Sequence, residues 1–383
     1  MPHKSFLCYN NSMKRTGIVI EYNPFHYGHH YHIQQTKLKT NPDVLIGVMS
    51  PHFVQRGEMS IVDKWQRTQT ALEHGVDLVL ELPTLFALQS AQEFANAAIF
   101  ILNKALVSDV VFGSESNDLE SILEIADLPI NPNHLKEAMK EGHSYAQALS
   151  LMAGEYDPND ILGIAYAKAA KNTNITLHSI LRTNAYHDAS LGGKYASATA
   201  IRKALINKQD VSEFTPMSHL NKVMFMPNWR EYYPLLRYKL LSTPLKHLQE
   251  IFLVSEGIEN HLINMAQTYA DFDLFVKAST NKRYSTARIQ RVCSHILLNT
   301  TKAFVSKYPK DIPLRVLGFN DKGLQALQEY KEKEIKIATR FNQLPKIVRD
   351  YEVHATTIYA LGFDKEMQQA LIEREVGPPI ILK

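Results

Sequence analysis

The chain has 383 residues, 45% hydrophobic and 21% charged, the composition of an ordinary globular protein of one large or two smaller domains. No apolar run approaches the ~20 residues that span a bilayer, and a formal net charge of +3 leaves the class of partner open. Two cysteines, Cys8 and Cys293, exclude a disulfide framework and fit a reducing cytoplasm.

In chain order, "MPHKSFLCYNNSM" (1–13) lacks an apolar core with a cleavage site and reads as a non-functional N-terminal extension, with Met13 as an alternative start. "TGIVIEY" (16–22) is β-rich and stops at Asn23-Pro24, a turn signal. The pattern is helical from Gly28 to about Lys39. "DVLIGVMS" (43–50) is a near-continuous apolar run, as in a strand buried on both faces. A helix over 62–75 is closed by Gly75, "VDLVLELP" (76–83) reads as a strand, and 90–105 as a helix. "DVVFGSE" (109–115) is a fourth strand entering a small-residue turn. Helices near 131–152 and 158–171, a strand at "ITLHSIL" (175–181) and a helix at "SATAIRKALI" (197–206) complete the first part.

This alternation predicts an α/β domain over 14–210, with a parallel sheet covered by helices and ligands at the carboxyl ends of its strands. Asn23-Pro24, Met49-Ser50 and Gly113-Ser114-Glu115 all fall on that rim. After 210, amphipathic helical spacing dominates, as in "LKHLQEIFLVSEGIENHLINMAQ" (245–267). Residues 211–383 are therefore expected to form a mainly α-helical C-terminal domain, with an irregular tail at "VGPPIILK". An acidic excess before 210 gives way to a basic excess after it, which permits a polyanionic partner.

"EYNPFHYGHHYHI" (21–33) holds four histidines just after the first strand. Zinc favours imidazole, but no cysteine or carboxylate at ligand spacing accompanies them, and no metal site is expected. Exposure on a helix suits His30 and His32, which read as bystanders. For His26 and His29 the remaining reading is phosphate binding. A helix that begins at a turn points free N–H groups and its positive dipole end at the rim. Gly28 allows close backbone approach.

"HYGH" (His26, Tyr27, Gly28, His29) resembles the HxGH signature of the nucleotidyltransferase superfamily, and "YASATAIRKAL" resembles its second signature. A longer series, including "GIVIEYNPFHYGHHYHI", "QRGE", "FGSE", "PNDILGIAYAKA", "KRYSTARIQR" and "RVLGFNDKG", is similar to the bacterial tRNA(Met) cytidine acetate ligases, from residue 17 to about 323. That family implies a Rossmann-like nucleotidyltransferase domain before the helical one. It also implies a cytoplasmic ligase in which acetate and ATP form acetyl-adenylate and release pyrophosphate. The acetyl group then passes to the exocyclic amine of the wobble cytidine in elongator tRNA(Met).

The resemblance assigns catalysis to His26, His29, Thr199 and Arg202. It assigns ATP binding to Ile18, Val19, Ile20, Glu21, Tyr22, Asn23, Pro24, Phe25, His26, Tyr27, Gly28, His29, His30 and Tyr31, with Gly113, Asn159, Arg182 and Ser197. Magnesium is expected with the phosphates. For each site residue a plainer role stands beside this one: Gly113 as a turn residue, Asn159 and Ser197 as helix caps, Arg182 and Arg202 as surface charges. Lys282, Arg283, Arg288 and Arg291 form the candidate RNA contact, with Tyr284 available for stacking. Where the family reads "MSGNF", this chain reads "MSPHF", so Pro51 and His52 put the local turn and the acyl pocket in question. Arg56 is a candidate for meeting a carboxylate or phosphate. A small-molecule adenylyltransferase or a non-catalytic RNA-binding protein remain the alternatives.

Overall fold

The computed structural model describes residues 13–128, 157–182, 195–223 and 225–383. The extension up to residue 12 and the helix expected near 131–152 lie outside them. Ten strands occur among the described residues: β1 (Arg15–Ile20), β2 (Val44–Met49), β3 (Phe53–Val54), β4 (Glu58–Met59), β5 (Leu78–Glu81), β6 (Asp109–Ser114), β7 (Thr176–Leu181), β8 (Leu314–Phe319), β9 (Ile337–Ala338) and β10 (Ile380–Ile381).

β3 and β4 form a separate antiparallel hairpin, and the others make one sheet ordered β10-β8-β5-β2-β1-β6-β7, with β9 beside β8. β1, β2, β5, β6 and β7 run parallel, as the alternation predicts. Their apolar runs split by the two-residue period of a strand. Ile46, Val48, Leu78 and Leu80 face one core with Phe94 and Leu102, while Leu45, Met49 and Val79 face the other with Ile33 and Ile201. Ile20, Met49 and Glu81 lie abreast in the register, so three strand ends form a common rim.

The sheet does not stop at the expected boundary near 210. β8 pairs antiparallel with β5, and β10, from the segment expected to be an irregular tail, pairs parallel with β8. The "LRVLGF" run is buried along its whole length, which a strand flanked on both sides requires. Ahead of β8 the described chain from Trp229 to Lys307 is helical. Trp229–Ser242, Ile258–Thr268, Phe272–Ser279 and Thr286–Leu297 share a core that also takes in Phe53 and Met59 of the β3–β4 hairpin. That hairpin is therefore shared between the sheet rim and the helical bundle.

Candidate active site

β1 is followed by β2 and β5 on one side of the sheet, whereas β6 and β7 lie on the other. Such a reversal opens a crevice beyond the strand ends, and here it holds a cavity of about 300 Å³. Arg67 builds the rim from below. Its buried guanidinium donates to the carbonyls of Glu21 at 2.5 Å, Ser50 at 3.1 Å and Pro51, and its Nε to Val62 at 2.9 Å.

The helix Tyr27–Thr40 starts at this rim with His26 as its extended N-cap. The His26 N–H donates to His29 Nδ1 at 3.3 Å, and the two rings stack with centroids 3.7 Å apart. Because His29 Nδ1 accepts, the ring proton is assigned to Nε2, which leaves Nε2–H as its donor. His32 lies one turn further on the same face, as the i, i+3 spacing dictates. Its Nε2 and the Nδ1 of His26 are buried with no hydrogen-bond partner among the described residues. Burial, with Arg182 and Arg202 nearby, pushes His26 down to about 3, and burial with Arg182 pushes His32 down to about 4. Burial, His26, Arg182 and His32 hold His29 well below its ordinary value. Three neutral imidazoles thus face the cavity.

Cations stand opposite. Arg202, on the helix Ala198–Ile206, donates to the Asn23 carbonyl at 2.8 Å and to Thr199 Oγ1 at 3.3 Å, and lies 3.5 Å from Glu58. Arg182 extends from the end of β7 across Gly113, with its Nε 3.8 Å from Glu115. Glu115 also accepts from the Asn159 N–H at 3.1 Å and from its side-chain amide, which fixes Asn159 at the start of the helix Pro158–Ala170. Asp160 accepts from the Glu115 N–H at 3.2 Å and the Ser116 N–H at 3.1 Å, joining "FGSE" to "PND".

Of the residues expected at a nucleotide, Val19, Ile20, Glu21, Tyr22, Asn23, His26, Gly28, His29, Tyr31, Gly113, Asn159, Arg182, Thr199 and Arg202 line this cavity. Six do not. Ile18 is inside the sheet core, and Phe25 packs edge-on against Tyr22. Pro24 is held in a cis peptide after Asn23, and Tyr27 is on the outer face of its helix. His30 points away towards Gln34, 2.9 Å from its Nε2. Ser197 serves as the N-cap of the helix Ala198–Ile206, accepting from the Ala200 N–H at 3.1 Å. Conversely His32, read as a bystander, lines the cavity, as do Gln55, Arg56, Glu58 and Tyr166.

The β3–β4 hairpin carries Gln55 and Arg56 to the cavity. Its Gly57, at φ +77°, lies so close to the helix Thr286–Leu297 that a Cβ there would strike the Arg291 backbone. The Gly57 carbonyl accepts from Trp229 Nε1 at 2.7 Å and Ser294 Oγ at 3.1 Å. Burial, Arg288 and Arg56 lower Arg291 to about 10, which puts Arg56 of the cavity hairpin within electrostatic reach of the basic cluster. Lys282 and Arg283 are exposed. Arg288 and Arg283 approach the Glu256 carboxylate at 3.1 and 3.4 Å. Tyr284 is not free for stacking. It is buried beneath both arginines, and its hydroxyl donates to the Glu256 carbonyl at 3.0 Å. Pro51 and His52 do not line the cavity; His52 is buried against the Tyr359 ring at 4.3 Å.

The family model described as HIGH Nucleotidyl Transferase matches residues 13–374. A tRNA(Met) cytidine acetate ligase of Limosilactobacillus reuteri is 40% identical over 342 residues, covering 86% of this chain and 91% of that one. The chain belongs to the tRNA(Met) cytidine acetate ligase family. The family member of Bacillus subtilis is 34% identical over 399 residues, covering 95% and 96% of the two chains. The crystal structure of Thermotoga maritima TmcAL without ligand superposes with a TM-score of 0.85 at 31% identity, covering 97% of this chain and all of that one. The same protein bound with alpha-thio ATP gives 0.84 at 31% identity, covering 96% and 100%. Among the described residues, no group of three or more His, Cys, Asp or Glu side chains is arranged to hold a metal ion. None of the described helices is long and apolar enough to cross a membrane.

Proposed function

We propose that the chain is an acetate ligase that makes acetyl-adenylate from acetate and ATP and transfers the acetyl group to the wobble cytidine of elongator tRNA(Met). The observation that carries this reading is the pair of neutral imidazoles, His26 and His29, at a helix N-terminus in the crevice, faced by Arg202 and Arg182. A carboxylate oxygen attacks the α-phosphate in line, and pyrophosphate leaves. No enzyme nucleophile takes part; the step depends on positioning and on donors aimed where charge accumulates. His26 and His29 donate to phosphate oxygens as neutral N–H groups. Arg202, held by the Asn23 carbonyl, and Thr199 stand where departing pyrophosphate gathers charge. Arg182, Gly113 and Asn159 line the same cavity. Magnesium enters on the ATP phosphates as part of the substrate.

In the second step the cytidine amine attacks the acyl carbon and AMP leaves. The helical region after 210 offers Lys282, Arg283, Arg288 and Arg291 to tRNA phosphates, and Arg56, on the hairpin that lines the cavity, lies within electrostatic reach of Arg291, which supports an approach that ends at the cavity. Pyrophosphate–ATP exchange with and without acetate, in the absence of tRNA, tests the first step, and exchange that requires acetate is expected. Exchange stimulated by a phosphorylated metabolite and not by acetate would instead establish a small-molecule adenylyltransferase.

A further inference from the structure

Attack by an exocyclic amine on an acyl carbon needs a proton acceptor, because the nitrogen must shed a hydrogen as its bond to carbon forms. The cavity offers few. The three imidazoles are neutral but poor bases, and the arginines are cations. The phenols of Tyr22 and Tyr166 are pushed by burial above their ordinary value. Glu58 lies in an ion pair with Arg202 at 3.5 Å, and Glu115 is engaged by Asn159. Glu21 is left.

Glu21 follows β1 directly and lines the cavity. Its Oε1 accepts from the Gln55 N–H at 2.7 Å and from Ser50 Oγ at 3.2 Å, so the carboxylate plane is fixed from two sides. Its Oε2 takes no hydrogen bond from the described residues. Arg67 lies beneath and donates from Nε, Nη1 and Nη2 to backbone carbonyls, and Arg56, Tyr22 and Tyr166 are further titratable groups beside Glu21.

Resting on the acetyl-transfer reading above, we propose that Glu21 is a catalytic residue whose carboxylate receives the proton of the cytidine amine during transfer. The amine lone pair forms the N–C bond, the carbonyl π pair moves onto oxygen, and the N–H proton passes to Glu21 Oε2. As the carbonyl re-forms, the bond from the acyl carbon to the phosphate oxygen breaks, and AMP leaves with that electron pair. The proton then passes to solvent. The same oxygen sets base choice, because a carboxylate accepts from the amino group of cytosine and repels the carbonyl at that position in uracil. Burial raises the Glu21 pKa despite Gln55, Ser50, Arg56 and Arg67, which moves it towards the range of an effective base.

The test separates the two steps in the full chain. Glu21→Gln keeps the size and an oxygen for the Gln55 N–H but cannot take a proton. Single-turnover transfer to unmodified tRNA(Met) from enzyme-bound acetyl-adenylate is expected to fall about 100-fold and to lose its acid limb, while acetate-dependent exchange falls no more than about tenfold. Equal losses in both steps, or transfer unchanged, would overturn the assignment. If Glu21→Gln does not fold by thermal melt, Glu21→Asp decides: slowed transfer with an acid limb supports the role, and pH-independent transfer overturns it. Absence of acetate-dependent exchange in the wild type would instead count against the acetate ligase reading itself.

Discussion

Around the cavity, His26 is buried and His29 and His32 are half-buried; all three are neutral, and two ring nitrogens have no hydrogen-bond partner among the described residues. On the β5–β8 side of the same sheet, four charged side chains are buried throughout and every charge is answered. Lys64 contacts Glu81 at 2.5 Å and Glu375 at 2.8 Å, and Arg315 contacts the same carboxylates at 2.7 and 2.6 Å. Thr356 adds a hydroxyl to Glu375 at 2.9 Å. Burial pushes the Glu375 carboxyl up, yet Arg315 and Lys64 hold it well below its ordinary value. The satisfied cluster fastens the C-terminal helix Lys365–Val376 to the sheet. The open one leaves ring nitrogens unpartnered among the described residues, and that contrast is the one expected between a structural polar core and a binding site.

Removing one member of the paired cluster gives the largest effect. Glu375→Ala leaves Lys64 and Arg315 buried with one carboxylate between them, and urea unfolding is expected to show a loss of about 3–5 kcal/mol. A change below about 1 kcal/mol would mean that the cluster does not hold the C-terminal segment. In the open cluster the sign of the contrast reverses. His29→Ala should lower acetyl-adenylate formation about 100-fold with little change in the unfolding midpoint; equal losses in tRNA affinity and adenylation would contradict its placement.

Gly57→Ala, where φ is +77° and the Arg291 backbone blocks a Cβ, is expected to cost about 1–3 kcal/mol. An unaltered midpoint would show that the hairpin and the bundle can separate freely. Acid gives a smaller, graded effect. His32 binds no proton in the folded chain until pH nears about 4, whereas unfolded histidine does so near 6.5. Between those values the unfolded chain holds more protons, so the His32 contribution falls as pH falls. Glu352, pushed up to about 7 by burial and Glu81, acts with the opposite sign in the same window. The readout is therefore the difference between wild type and His32→Asn: denaturation from pH 7.5 to 4.5 should show a flatter acid loss in the variant. The smallest change is Arg288→Gln, which should reduce the salt slope of tRNA binding by about 0.7–0.9, as for one phosphate contact. An identical slope would remove Arg288 from the interface.

Much of the cavity was legible because its residues share local rules. The strand–turn–helix signal placed His26 and His29 on the rim, and the resemblance of "YASATAIRKAL" to the superfamily's second signature brought Thr199 and Arg202 to the same site. His30 and His32 were grouped together in the sequence although helical period separates them: i, i+3 from His29 puts His32 on the cavity face and turns His30 outward. Tyr284 sat in a basic run and looked available, but its ring fills the bundle core while its neighbours snorkel over it. The fate of "LRVLGF" was least legible. A short apolar run does not name its partner strand, and its pairing with β5 depends on contacts more than 200 residues apart, as between Arg315 and Glu81. Glu115 and Asp160 were within quoted motifs, but their work is done on each other's loops, a relation no spacing encodes.

The pairing of β5 with β8 also sets a timetable for biosynthesis. Arg315 is 234 residues downstream of Glu81, a delay on the order of 10–50 s at ~5–20 residues per second of translation. Throughout that interval the nascent sheet ends at β5, a bare edge of the kind that recruits foreign strands. Lys64 and Glu81 wait there for the rest of their cluster. A ribosome that stalls before residue 314 therefore leaves behind a chain with all of its cavity-lining histidines and an unguarded flank, a product for proteolysis rather than for catalysis.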